Sequence, residues 1–247
     1  MNSSKQDSKY FELEKTIGYT FKDKKNLDIA FTHKSYTNEK MAGKFESYER
    51  YEFLGDAILE YLVSDFLFKN YKNLPEGDLT KLRASLVCEF TLSKISRSLK
   101  LGEYGYFSKG EKNTGGPNRD SILCDMFESL LGALYIDGSI EIAREFVEKF
   151  LLTDIEHKQL FHDSKTKLQE YSQKHDISLR YDLISETGPD HNKEFLVCVM
   201  FNDKKMSEGI GHSRKSAEQV AAYNTLTELT KHLEADYVFK KHWSIWI

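Results

Sequence analysis

Acidic residues recur at helical spacing in two apolar stretches of this chain. Tyr48-Glu-Arg-Tyr-Glu-Phe-Leu-Gly-Asp56 places Glu49, Glu52 and Asp56 at i, i+3 and i+7, one side of a helix that turns about 100° per residue. Ser121-Ile-Leu-Cys-Asp-Met-Phe-Glu-Ser-Leu-Leu-Gly132 carries Asp125 and Glu128 at i and i+3. Acidic stripes are usually wetted helix faces. Here the flanking residues are too apolar for that: Phe53, Leu54, Ile58 and Leu59 in one stretch, Leu123, Met126, Phe127, Leu130 and Leu131 in the other. Carboxylates that converge at the edge of a core raise one another's pKa values. A divalent cation removes that cost, and hard oxygen ligands suit magnesium, with manganese as a substitute. Glu52 and Asp56 lie about 6 Å apart along a helix axis, Asp125 and Glu128 about 4.5 Å, and Glu49 and Asp56 about 10.5 Å. The last span is too long for ordinary joint ligation. The expected metal ligands are therefore Glu52, Asp56, Asp125 and Glu128, with Asp56 and Glu128 expected to be catalytic.

The elements that must position these acids read as helices from about residue 8 to 150. Phe53 to Tyr71 is apolar nearly all round, which predicts a central buried helix. Pro75 and Gly77 mark a turn, and Asp78 or Thr80 is a candidate cap for the helix through Leu82, Leu86 and Val87. Residues 109–119 are polar and glycine-containing and read as a loop leading into the second acidic helix. Ile140 to Leu152 reads as amphipathic. Gly55 and Gly132 sit mid-helix, where glycine costs about 1 kcal/mol relative to alanine. Close packing of the two acidic helices is the expected reason. Residues 153–163 read as a linker. Beyond it, Lys165 to His175 reads as helix, Leu179 to Gly188, Lys193 to Phe201 and Met206 to Gly211 as strands, and Ser216 to Leu229 as helix.

Composition permits this and narrows the class. Apolar residues make up 40% and charged residues 30%, ordinary for a globular protein. No stretch approaches the ~18 uncharged apolar residues of a membrane span, and the first residues lack an apolar signal-peptide core. Cys88, Cys124 and Cys198 are odd in number and widely spaced. They read as reduced, buried residues of a cytoplasmic protein rather than a zinc site or disulfide frame. The net charge of −4 argues mildly against a nucleic-acid binder. A metal site counts as negative in that sum, however, and local basic patches do not register in it.

The motifs also carry a resemblance. ERYEFLGDA is similar to the ERLEFLGD signature of the ribonuclease III family. Thr32-His-Lys-Ser-Tyr36 resembles its upstream HxS element, Glu76-Gly-Asp-Leu-Thr-Lys-Leu-Arg-Ala84 its EGD…LRA segment, and residues 120–133 its second acidic helix. Tyr48 and Tyr51 depart from the usual asparagine and leucine, which bears on local packing rather than on the acids. The resemblance implies an all-α nuclease domain over 8–152, and places Glu49 and Glu76 as outer-shell or substrate-contacting acids. It further implies cleavage to 5′-phosphate and 3′-hydroxyl ends with short 3′ overhangs, and a homodimer in which Phe53 reaches the partner. An intrachain core position for Phe53 is equally open. No histidine base is required, and His33 is expected to be structural.

Residues 164–232, in α-β-β-β-α order, resemble a double-stranded-RNA-binding domain of the α+β class. Lys165-Thr-Lys-Leu-Gln-Glu-Tyr-Ser-Gln173, Gly188-Pro-Asp-His191 and Gly211-His-Ser-Arg-Lys-Ser-Ala-Glu-Gln219 carry that likeness. A-form RNA exposes 2′-hydroxyls in a wide minor groove and hides its base edges in a narrow major groove. By this resemblance Thr166 binds RNA, and Gln169, Glu170, Gln173 and His191 face minor grooves. Ser213, Arg214 and Lys215, at a helix N-terminus, face phosphates. Taken singly, each of these would be an ordinary surface residue; the three segments in order give them weight. The tail 233–247 has no assigned role. The resulting expectation is a magnesium-dependent endoribonuclease for duplex RNA, acting on ribosomal RNA precursors and other structured transcripts. A catalytically silent RNA-binding or ribosome-associated relative is the alternative, though all six acids are retained. A phosphohydrolase of small nucleotides would leave the second domain unexplained.

Overall fold

The structure, a computed structural model, describes residues 3–40, 47–188 and 193–243. It divides into two compact units at Ile155/Glu156. The first comprises α1 (Ser3–Ile17), α2 (Lys24–Ala30), α3 (Lys34–Lys40), α4 (Glu49–Asn70), α5 (Glu76–Leu86), α6 (Glu89–Ser98), α7 (Leu101–Tyr104), α8 (Lys109–Asn113), a 3-10 turn at Gly116–Asn118, α9 (Asp120–Asp137) and α10 (Ile140–Phe150). The two acidic stretches are α4 and α9. They pack along each other, joining Leu59, Leu62 and Val63 to Met126, Phe127, Leu130 and Leu131 in the main core.

The glycines explain how closely these helices approach. A Cβ on Gly55 would stand 1.8 Å from the carbonyl oxygen of Glu128, and one on Gly132 would stand 2.3 Å from that of Tyr51. The crossing is main chain against main chain, so any side chain at either position wedges the helices apart. This is the packing expected from the mid-helix glycines.

Several local expectations need correction. α4 is not buried all round: Phe53, Tyr61 and Phe68 are exposed because α9 covers only one side of it. Neither Asp78 nor Thr80 caps α5. Pro75 holds the N-cap position without a side-chain bond, and the Thr80 hydroxyl donates to Glu76 instead. Residues 109–119 contain α8 and the 3-10 turn, with Ser108 capping α8 through the amide of Glu111. Of the cysteines, all free, Cys198 is buried and Cys88 and Cys124 are half-buried.

The second unit contains α11 (Ile155–Lys174), a sheet of β1 (Leu179–Thr187), β2 (Glu194–Phe201) and β3 (Lys204–Gly211), and α12 (Arg214–Trp243). The sheet is antiparallel in the order β1-β2-β3, with Tyr181 opposite Val199 and Val197 opposite Gly209. A Cβ on Gly209 would meet the backbone of Ala217 and Ala221, so glycine lets α12 lie directly on the sheet. Leu168, Val199, Phe201, Ala221 and Ala222 form the core between helices and sheet. The segment 153–163 is helical from Ile155 onward. Phe161 explains this: its ring lies 5.4 Å from that of Tyr223, and Gln219 donates to its carbonyl.

Candidate active site

Glu49 and Glu52 occupy the first turn of α4, where the helix dipole favours negative charge. One carboxylate oxygen each from Glu52, Asp125 and Glu128 lies within 4.8 Å of the others. Asp56 is not in that trio. It is exposed one turn along α4 from Glu52, and its charge is the largest of those acting on Glu128. Three of the four expected ligands are thus gathered, with the fourth beside them.

The electrostatics record the crowding. Burial, then the charges of Asp56, Glu52 and Asp125, push the Glu128 carboxyl up to about 8. Burial, then Asp125 and Glu49, raise Glu52 to about 7, against the opposing pull of Lys34. Asp125 is also raised, chiefly by burial, although a hydrogen bond from Tyr48 works the other way. Acids this reluctant to ionise are stabilised by a cation. An all-oxygen donor set fits a hard divalent ion better than a soft one.

Around the trio, Glu49 is exposed and turned toward Lys34 at 3.4 Å and Ser47 at 3.3 Å. Glu76 is exposed at the start of α5, where its described hydrogen bond is to Thr80 and not to the acids. His33 is 6% exposed. Its Nδ1 accepts from the amide of Ser35 at 3.2 Å and lies 2.7 Å from the Ser35 hydroxyl. That hydroxyl in turn accepts from the amide of Ser108. Burial lowers the His33 pKa, and the buried, hydrogen-bonded ring fits the structural role expected of it.

Three neighbours of the acids are not evident from the sequence. Tyr48 is 3% exposed and its hydroxyl donates to Asp125 Oδ2 at 2.9 Å. Lys34 supplies the positive charge felt by Glu52 and Asp125. Cys124 Sγ lies 3.9 Å from Glu128 Oε1, and burial raises its thiol pKa well above the ordinary value. Tyr48 and Lys34 both lie within or beside the family motifs, and Tyr48 stands one helical turn before Glu52, but no spacing ties Tyr48 to Asp125 or Lys34 to either acid. Tyr51 points elsewhere. Its hydroxyl donates to Asn26, which donates to Asp137 at the end of α9.

In the second unit, Thr166, Gln169, Glu170 and Gln173 are exposed together on α11, opposite the buried Ser164, Leu168 and Ser172. Ser213, Arg214 and Lys215 are exposed at the start of α12. Ser213 accepts from the amide of Ser216, and Arg214 pairs with Glu218 at 3.0 Å. His191 lies outside the described residues.

Comparison with known proteins settles the lineage. A ribonuclease-III-like family model matches residues 23–155, and a double-stranded RNA binding motif matches residues 164–229. This chain belongs to the ribonuclease III family. Ribonuclease 3 of Halalkalibacterium halodurans is 41% identical over 235 residues, covering 94% of this chain and 89% of that protein. Ribonuclease 3 of Streptococcus agalactiae is 45% identical over 221 residues, covering 88% and 97%. Among solved structures, the nuclease domain of ribonuclease III from Campylobacter jejuni shares 40% identity with a TM-score of 0.53. That match covers 57% of this chain and 94% of that domain, and the structure is described in terms of a region involved in dimer formation. The helical first unit is the fold that the ribonuclease III motifs implied, and the α-β-β-β-α second unit is the one that the double-stranded-RNA-binding segments implied.

Proposed function

We propose that this chain is an endoribonuclease that hydrolyses phosphodiester bonds in double-stranded RNA. The oxygen trio of Glu52, Asp125 and Glu128 carries this reading. With Asp56 they would hold magnesium or manganese, which when bound supplies an activated water and neutralises charge at the phosphoryl oxygen. The chain's own part is to keep four carboxylates at the meeting of two apolar helices. Asp56 and Glu128 take the catalytic positions. Glu49 and Glu76 contact substrate or support the site from outside. Retention of all six acids favours an enzyme over a silent RNA-binding relative.

Thr166, Gln169, Glu170, Gln173 and His191 would meet minor-groove hydroxyls, and Ser213, Arg214 and Lys215 would hold phosphates. The active form in this reading is a homodimer making staggered cuts that leave 5′-phosphate and 3′-hydroxyl ends. Phe53, 79% exposed, shares a side of α4 with Tyr61 and Phe68, within about 80° around the helix. An exposed apolar strip of this kind supports a partner rather than an intrachain role. Among the described residues no helix is long and apolar enough to cross a membrane. A cytoplasmic enzyme acting on ribosomal RNA precursors and other structured transcripts is the setting we infer.

The test is incubation of long duplex RNA with magnesium, beside single-stranded RNA and duplex DNA, for the wild type and Glu128→Gln. The wild type should cut duplex RNA alone. The variant should lose at least about a thousandfold in rate, the scale of several kcal/mol of lost charge stabilisation, while binding the duplex nearly as well. Wild-type cutting by the variant would defeat the assignment.

A further inference from the structure

Tyr48 is bonded to both acidic helices. Its carbonyl accepts the amides of Tyr51 at 2.8 Å and Glu52 at 2.9 Å, so it opens α4 and fixes the backbone of Glu52. Its own amide donates to Thr32 at 2.9 Å. Its ring is buried, 5.6 Å from that of His33, and His33 is itself braced by Ser35. From this anchored ring the hydroxyl reaches α9 and donates to Asp125 Oδ2 at 2.9 Å.

A carboxylate with no such partner rotates about its last bond and must be frozen when an ion binds. The Tyr48 hydroxyl holds Oδ2 of Asp125, a carboxylate that also brings an oxygen within 4.8 Å of oxygens of Glu52 and Glu128. Bonds of this kind orient ligands and tune metal affinity. We infer that Tyr48 is a positioning residue that presets the Asp125 carboxylate, and with it the spacing between the two acidic helices' ligands, for a divalent cation. The inference rests on the metal reading above. It assigns Tyr48 no contact with RNA and no part in proton transfer.

The contrast with Tyr51 makes this testable. Tyr51 also stands at the start of α4 and also donates from its hydroxyl, but to Asn26 and away from the acids. Tyr48→Phe and Tyr51→Phe each remove one hydroxyl and keep the ring. Manganese binding would be followed by electron paramagnetic resonance on full-length wild type, both variants and Glu128→Gln. Each measurement is made below the metal-free unfolding temperature of that protein, and duplex RNA binding is measured without metal.

Tyr48→Phe should weaken manganese binding roughly tenfold, the lower end of the range for residues that orient ligands. Its RNA binding should be unchanged. Tyr51→Phe should keep wild-type manganese affinity whatever it does to stability. Equal manganese affinity in Tyr48→Phe and wild type would overturn the inference. So would equal weakening in both variants, which would make the effect one of helix stability. If wild type and Glu128→Gln bind manganese equally poorly, the metal reading itself fails, and that outcome is distinct from the other two.

Discussion

Glu128 and Glu218 are both glutamates on helices that pack into a core, and their surroundings push them in opposite directions. Around Glu128, burial and three neighbouring acids raise the carboxyl to about 8. Burial also acts against Glu218, but hydrogen bonds from Lys165 and Arg214 outweigh it and hold that carboxyl below its ordinary range. The first unit keeps its charge unresolved and thereby creates a demand for a cation. The second resolves its charge internally and keeps polar groups at the surface. One arrangement suits chemistry on a phosphodiester, the other suits holding a duplex, and the net charge of the chain reveals neither.

The largest expected effect comes from disturbing the frame that creates the frustration. Gly55→Ala should cost several kcal/mol, because the new methyl meets the Glu128 carbonyl oxygen at 1.8 Å and overpacking costs about 1–3 kcal/mol even where neighbours can yield. Thermal unfolding and cleavage should fall together. A stable and active Gly55→Ala protein would mean that α4 and α9 are not held by this contact.

Removing the second unit is the next largest. Truncation after Ile155 leaves every acid in place, so cutting should survive at low salt. Binding at about 150 mM salt should fall by roughly a hundredfold, since lost phosphate contacts weigh more as salt rises. Equal affinity of the truncated and full chains across a salt series would overturn the division of labour. At the helix start, Arg214→Ala with Lys215→Ala should weaken RNA and DNA duplexes alike by roughly tenfold and flatten the salt dependence, as fewer counterions are released. Replacing Gln169 and His191 by alanine should instead erode the preference for RNA over DNA. Competition with matched duplexes separates the two, and a reversed pattern would exchange the two surfaces.

The smallest effect sharpens the electrostatic contrast. The Glu128 carboxyl is raised on folding, so the folded state holds that proton more tightly than the unfolded chain does. Metal-free stability should therefore fall as pH rises from the ordinary glutamate range, near 4.5, through about 8, and level off above. Glu128→Gln should remove that loss and stabilise the metal-free protein by about 1–2 kcal/mol at pH 9, given about 1.4 kcal/mol per tenfold difference in proton affinity and partial solvent screening. Urea unfolding at pH 5 and 9 measures it. No gain at pH 9 would show that the acids are not in conflict.

Much of this was legible in the residues. Acid spacing identified the two helices, and mid-helix glycines predicted their close approach, because both are properties of a single helix. Tyr48 was not legible as a neighbour of Asp125, since 77 residues separate them and no periodicity spans that gap. The exposure of Phe53 was equally hidden. An apolar helix reads the same whether its far side meets core or a surface, and only the placement of α9 decides. The helical character of 155–163 depended on Phe161 finding Tyr223, again a contact between distant positions.

The Gly55–Gly132 crossing has a genetic consequence. Where a clash involves a side chain, a second mutation can trim it. Here the obstructing atoms are carbonyl oxygens, which every residue carries. Suppressors of Gly55→Ala thus have no neighbour to shrink. A selection for restored cleavage should return glycine itself, or changes that bend α9 between Glu128 and Gly132.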